Sequence, residues 1–220
     1  QNLFIAASTD SVELVRLITK KAYIAGAKQV FVDFTDDEIT RLRYELAPGD
    51  SFDFFPSWKA QEKELLAEGG AAFISIVSQS PDLLKGMDST RISAFQKAAG
   101  QALSKYRQYV QSDKISWSVI ASPSTAWAKK VFPELSEEEQ VPALWEAIFQ
   151  AVRADVANPT QAWIDHDNLL HTKVDYLNEK NYQKLHYTAP GTDLTIELPK
   201  GHLWCGAGRK KKKGFSFMAN

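Results

Sequence analysis

The stretch LFIAASTDSVELVRLITKKAYIAGAKQVFVDF, residues 3–34, holds a short apolar run, a helical pattern and a second apolar run. Leu3 to Ala7 is too short for a buried helix and reads as a strand ending at Ser8-Thr9-Asp10. Asp10 with Glu13 makes a capping-box pattern for the helix that follows. Its apolar positions Val12, Val15, Ile18, Ala22 and Ala25 fall at spacings of three and four until Gly26 stops it. Gln29 to Phe34 then returns as a second strand, and two strands joined through a helix of this length run parallel.

The same reading extends outward. Thr35 to Glu38 repeats the capping pattern and opens a helix that fails before Ala47-Pro48. Trp58 to Glu68 is a helix closed by Gly69-Gly70, Ala71 to Val77 is a third strand, a long helical pattern runs from Asp88 to about Val110, and Ile115 to Ala121 is a fourth strand. Three successive β-α-β crossovers predict an α/β domain, a mainly parallel sheet with helices on both faces. Helices follow: Ser124 to Phe132, one opened by the capping box Ser136/Glu139 and running to about Val152, and one capped by Asn158-Pro159 and running to about Lys180. Leu185 to Trp204, LHYTAPGTDLTIELPKGHLW, breaks the pattern, because it reads as two extended arms around a turn at Pro190-Gly191-Thr192-Asp193.

A net charge of −1 over 220 residues supplies no global attraction to nucleic acid or to an anionic membrane, so neither is an expected partner. A single cysteine, Cys205, rules out an internal disulfide framework. There is no apolar run of about eighteen residues, and Gln1 to Ile5 is not a basic-then-apolar leader, so the expected location is cytoplasmic. A first residue other than Met, almost inside a strand, leads to the expectation of a preceding N-terminal portion.

Ligands of open parallel sheets bind beyond the carboxyl ends of the strands. The turns there, beginning at Ser8 and Ser78, contain neither G-x-G-x-x-G nor G-x-x-x-x-G-K-[ST], which argues against a nucleotide. Ser8, Ser78 and Ser122 follow strands, but none lies in G-x-S-x-G. Gly206-Ala207-Gly208 reads as a turn, and Arg209 to Lys213 as a solvated hairpin tip before a strand beginning at Phe215-Ser216-Phe217. The alternative for that basic run is phosphate neutralisation, without interleaved aromatics to stack bases. His166 and His171, five apart on one helix, point too far apart to share a metal. His166 instead joins a stripe of Trp163, Leu170, Val174 and Leu177, as a hydrogen-bonded core histidine would. Asp36-Asp37-Glu38 and Glu137 to Glu139 sit at helix starts, where the helix dipole stabilises acids. These residues make no complete catalytic set.

Several segments together carry a family resemblance: Glu13 to Arg16 through Ala22 to Ala27, Phe55-Pro56-Ser57-Trp58-Lys59-Ala60, Asp82 to Asp88, Ala126 to Pro133, Leu144 to Phe149, Ala162-Trp163 with His166, and above all Leu185 to Thr195, LHYTAPGTDLT. In their order and spacing the chain resembles the metal-dependent aminopeptidases of the peptidase M29 family, the group of aminopeptidase T, aminopeptidase S and PepS. The resemblance implies a Rossmann-like three-layer N-terminal domain over residues 1–182. The crossing and first β-hairpin of an α+β second domain would then occupy 183–220. It implies an enzyme that releases N-terminal amino acids from peptides, with its own C-terminal catalytic domain as partner and a homodimer as the full-length state. The implied cofactor is a divalent metal pair (zinc, cobalt, magnesium or manganese), its ligands in the second domain and the first of them just beyond Asn220. No metal ligand or catalytic residue is therefore expected within 1–220, and no metal bound by this stretch alone. The lysine run departs from the family pattern.

His186, Asp193 and His202 are the expected substrate-binding residues, lying at the domain crossing, with Asp193 placed to attract a free α-amino group. The competing role for Asp193 is to close the Pro190-Gly191 turn through its side chain. Readings from other classes are a stand-alone α/β ligand-binding module and a nucleic-acid adaptor using Arg209 to Lys213.

Overall fold

The computed structural model describes residues 1–112, 114–206, 208–210 and 216–218. The chain packs as two compact units, Gln1–Ala151 and Val152–Asn220. In the first, β1 (Asn2–Ser8), α1 (Val12–Ile24) and β2 (Gln29–Thr35) form the expected crossover, with β1 parallel to β2 from Asn2 opposite Gln29 to Ser8 opposite Thr35. Then come α2 (Asp37–Leu46), α3 (Ser57–Glu68), β3 (Ala72–Val77), α4 (Ser89–Ala102), α5 (Ser104–Gln111), β4 (Ser116–Ala121), α6 (Thr125–Val131) and α7 (Glu137–Ala151). The sheet order is β2-β1-β3-β4, all parallel. The chain leaves β1 toward β2 and later steps back over it to β3, so the order reverses between β1 and β3.

Alternation along β1 feeds two cores. Leu3, Ile5 and Ala7 pack with Ile76 beneath Val15 of α1, while Phe4 packs on the other face with Phe73, Ala67, Ala71 and Ile115. Tyr106 of α5 closes on Phe73 at 5.1 Å between ring centroids. Helices on both faces make three layers, as a parallel sheet buried on both sides requires. Full burial of side chains such as Ile5 or Phe4 stabilises by about 1.5–3 kcal/mol each.

Local details differ from the sequence reading. No Asp10/Glu13 box forms: Ser8, still extended at the end of β1, accepts from the Asp10 N–H at 3.2 Å and starts a 3-10 turn, Thr9–Ser11, while Glu13 pairs with Arg16. The cap of α2 is Asp36, which accepts from Ile39 N–H at 2.9 Å, because Thr35 remains in the strand. The long pattern after Asp88 breaks into α4 and α5 at Leu103, between the weak helix formers Gly100 and Ser104. Half of the Ser136/Glu139 box forms: Glu139 Oε2 accepts from the Ser136 N–H at 3.2 Å, but the Ser136 hydroxyl donates to that same oxygen at 2.6 Å instead of accepting from the Glu139 N–H.

In the second unit, α8 (Pro159–Lys180) is capped by Asn158, whose Oδ1 accepts from Gln161 N–H at 3.1 Å. Strands β5 (Lys184–Ala189) and β6 (Thr192–Glu197) form the expected antiparallel hairpin, turning at Pro190-Gly191 with Gly191 at φ +77°. A second antiparallel pair, β7 (Gly208–Lys210) and β8 (Ser216–Met218), follows. Arg209 and Lys210, expected in a solvated tip, lie in β7 because they pair with Phe217 and Ser216, while the rest of the expected tip and Phe215 lie outside the described residues.

The stripe of α8 is half-buried rather than a sealed core. Trp163 Nε1–H donates to the Val152 carbonyl at 2.9 Å. The Arg153 guanidinium lies 4.8 Å from the Trp163 ring centroid and donates to His166 Nδ1 at 3.2 Å. His166 is thus hydrogen-bonded, but by an arginine at the margin of its unit. Trp163→Ala removes the ring, its hydrogen bond and the surface on which Arg153 rests, and should destabilise the chain by about 3 kcal/mol, the low end of the range for buried aromatics. Chemical denaturation read by far-UV circular dichroism checks this.

Lys63 of α3 stands apart from the other lysines of the first unit. Its Nζ lies 5.5 Å from the Phe4 ring centroid and 6.0 Å from that of Tyr106, while the nearby Asp33 carboxylate is taken by Lys59 at 3.0 Å. Burial pushes the Lys63 amine below its ordinary value of 10.5. The folded chain therefore gives up this proton more readily than the unfolded one. Folding is penalised while both forms are charged, and the penalty fades as pH rises through the folded pKa toward 10.5. Lys63→Met should raise the thermal midpoint at pH 7, and the gain should shrink by pH 10. Melting curves at the two pH values decide it.

Candidate functional site

The turns at the carboxyl ends of the four strands surround an open cavity of about 460 Å³ where the sheet order reverses. Thr9 and Asp10 follow β1, Asp36 to Glu38 follow β2, Ser80 and Asp82 follow β3, and Ser124 follows β4. Asp36, Asp37 and Asp82 tie the turns together. Thr9 Oγ1–H donates to Asp36 Oδ2 at 2.8 Å, Asp37 Oδ2 accepts from Ser80 N–H at 2.8 Å, and Lys130 of α6 reaches Asp82 at 2.8 Å. Arg41 adds a bond to the Leu83 carbonyl at 3.1 Å. An acidic rim of this kind disfavours phosphate, in line with the missing glycine motifs. The dipole reading of Asp36 holds in part: the Ile39 N–H and the Thr9 hydroxyl keep its carboxyl below the ordinary 3.8. The bond from Lys130 does the same for Asp82. Nothing local in the sequence marked the links across more than forty residues.

On the hairpin, His186 stands opposite Thr195 and Asp193 opposite Thr188, which makes His186 and Asp193 diagonal neighbours on one face. His186 Nε2 lies 2.7 Å from Asp193 Oδ1. An ionised carboxylate only accepts, so Nε2 carries the proton. The Asp193 carboxylate thus bonds across the strands to His186. His202 stands in the loop after the hairpin, where Nδ1–H donates to the Pro199 carbonyl at 2.9 Å and the ring meets Trp204 edge-on at 6.1 Å. Among the described residues its Nε2 meets no hydrogen-bond partner. The structure brings His186 and Asp193 together, and no contact among the described residues joins His202 to them.

That loop runs along α8. The Asn178 amide takes both backbone groups of Trp204, accepting from its N–H at 2.8 Å and donating to its carbonyl at 3.0 Å. A Cβ on Gly206 would fall 3.2 Å from His171 Nε2, and one on Gly208 2.3 Å from Asp167 Oδ1. The two glycines, expected to mark a turn, instead allow the backbone to press against a helix. His171 bonds within its own helix, Nδ1–H to the Asp167 carbonyl at 2.8 Å, and does not converge with His166, which faces Arg153.

Among the described residues no three His, Cys, Asp or Glu side chains are grouped to hold a metal ion, so these residues do not fit a metal centre. Among the same residues, no helix is long and apolar enough to cross a membrane.

Because Asp36 has a depressed pKa when folded, its stabilisation is present above 3.8 and is lost as pH falls through the folded value. Asp36→Ala should lower the thermal midpoint at pH 7, by an amount that narrows as pH drops below 3.8. A pH series of melting curves for both proteins tests this; a gap independent of pH would refute it.

The family model described as thermophilic metalloprotease (M29) matches residues 1–220. Aminopeptidase AmpS of Bacillus subtilis (strain 168) is 58% identical over 220 residues, 100% of this chain and 54% of AmpS. Aminopeptidase 2 of Geobacillus stearothermophilus is 44% identical over 220 residues, 100% of this chain and 53% of its own. Among solved structures, wild-type AmpT from Thermus thermophilus has a TM-score of 0.88 at 36% identity, with 98% of this chain and 53% of that one covered. The chain spans about half the length of the relatives it matches.

Proposed function

The chain belongs to the thermophilic metalloprotease (M29) family, and from that premise we propose that residues 1–220 are the N-terminal part of a metal-dependent aminopeptidase that releases N-terminal amino acids from peptides. The observation that carries this is identity of 58% across the whole chain to a protein named as an aminopeptidase. In the full-length protein a divalent pair (zinc, cobalt, magnesium or manganese), held by residues outside those described, would supply an activated water. The second domain would begin at residue 183 with the hairpin, and the enzyme would be a cytoplasmic homodimer.

The part played by the described residues is to bind and orient substrate. Asp193 accepts a charge-assisted hydrogen bond from the free α-amino group of a peptide, and His186 Nε2–H holds that carboxylate in place. His202 offers its Nε2 as an acceptor for a peptide N–H. The N-terminal part as a whole would supply a wall of the substrate chamber.

In the full-length protein, aminoacyl p-nitroanilides should be hydrolysed and their N-acetylated forms left intact. Cleavage of both alike would reject an aminopeptidase. Asp193→Asn should lower kcat/KM by about tenfold or more, the scale of a charge-assisted bond of roughly 1.5–3 kcal/mol, with the melting curve unchanged. Unchanged kinetics would remove Asp193 from substrate binding.

A further inference from the structure

Among the described strands β1 and β3 have a neighbour on each side, whereas β2 pairs with β1 alone and forms one edge of the parallel sheet. The Val30 N–H donates to the Tyr23 hydroxyl of α1 at 3.3 Å and not to a strand. Backbone groups alternate in direction along a strand, so the N–H groups of Val32 and Phe34 point to that same outer edge. Such an edge is a template for further pairing unless lysine, proline or an inward charge blunts it. QVFVDFT, residues 29–35, contains neither lysine nor proline, and its one charge, Asp33, is held by Lys59. Beside the edge runs an open groove of about 510 Å³ between α1 and β2, walled by Val12, Val15, Thr19, Tyr23, Val32 and Phe34. Val32 is 39% and Phe34 41% exposed, although their register partners on β1, Ile5 and Ala7, are buried. The apolar row of the sheet thus continues past its last covered strand.

We propose that the β2 edge and this groove seat an extended acidic peptide as an additional strand, with alternate apolar side chains in the groove and a carboxylate against Arg16 and Lys20. Main-chain pairing at Val32 and Phe34 supplies the attachment, and the groove selects every second side chain of the peptide. A strand added there lies about 4.8 Å beyond β2, so its apolar residues extend the row of Val32 and Phe34. Charge decides the occupant. The charged side chains on the groove wall, Arg16 and Lys20, are both cationic. Arg16 also pairs with Glu13, and Lys20 forms no ion pair among the described residues. A second copy of this chain would bring the same two cations to the edge, whereas a peptide carboxylate complements them. The groove volume falls within the range of ligand clefts. The seat goes beyond the aminopeptidase reading, because pairing along the peptide backbone makes no use of the peptide N-terminus.

The probe is a short N-acetylated peptide of alternating threonine and valine that ends in glutamate with its free carboxylate, titrated into isotope-labelled chain and followed by NMR. The Val32 and Phe34 amide signals should shift in a saturable way, and their exchange with solvent should slow by about tenfold or more at saturation. The same peptide with N-methyl groups on the amides that face β2 should bind at least about tenfold more weakly, since it cannot pair. Lys20→Gln should weaken the unmodified peptide by about threefold and flatten its salt dependence. Absence of saturable binding, shifts centred on other residues, equal binding of the methylated peptide, or an affinity indifferent to Lys20→Gln would each overturn the proposal. So would a chain that sediments as a dimer with the β2 amides already protected, since the edge would then seat a second copy. The acetylated probe has no free α-amino group, and hydrolysis of aminoacyl p-nitroanilides by the full-length protein is read separately, so failure of the aminopeptidase reading leaves this result standing.

Discussion

Most of the first unit depends on the burial of β1 from both sides. A parallel strand in the middle of a sheet has no solvent face, so each of its side chains must match one of two separate cores. Ile5 is enclosed by the layer under α1, and its neighbour Phe4 by the layer under α3 and α5. A register slip of one residue would send the phenylalanine into the space built for isoleucine and the reverse. The hydrogen bonds of β1 to both β2 and β3 hold that register, and the helices can pack only because it is held.

The same strand sets the position of the cavity. Neighbours on both sides place its carboxyl end at the reversal of sheet order, where the turns diverge and leave an opening. Here the divergence is limited by polar side chains. Thr9 reaches Asp36, Asp37 reaches the Ser80 backbone and Lys130 reaches Asp82, so each turn is tied to the next. These surface bonds are individually weak. Their collective effect is to keep four loops from different parts of the chain in one arrangement, with carboxylates already committed to protein donors.

Periodicity was enough to read the four strands, α8 and the Pro190-Gly191 hairpin, because each follows from local pattern and from residues with special backbone properties. Asn158-Pro159 at the start of α8 is the clearest case: one residue caps and the next is preorganised for the first turn. The errors fell where two local candidates compete. Ser8 and Asp10 both suit a cap, and the choice is made by where β1 stops pairing. The roles of Asp37, Asp82 and Arg41 were invisible because their partners are far away in sequence. For Asp193 the sequence offered a free α-amino group or the turn beside it, and the bond to His186 across the strands was in neither reading. That bond depends on the register, which puts His186 on its diagonal.

The pair of hydrogen bonds between Asn178 and Trp204 joins positions 26 residues apart and encloses the whole β5–β6 hairpin. A side-chain amide there takes the place of a neighbouring strand and makes the intervening chain a closed lobe with both ends anchored on one helix. Closing a loop of that length costs entropy, and the fold has met that cost before any partner arrives. Whatever binds it meets a hairpin whose two ends are already held beside α8.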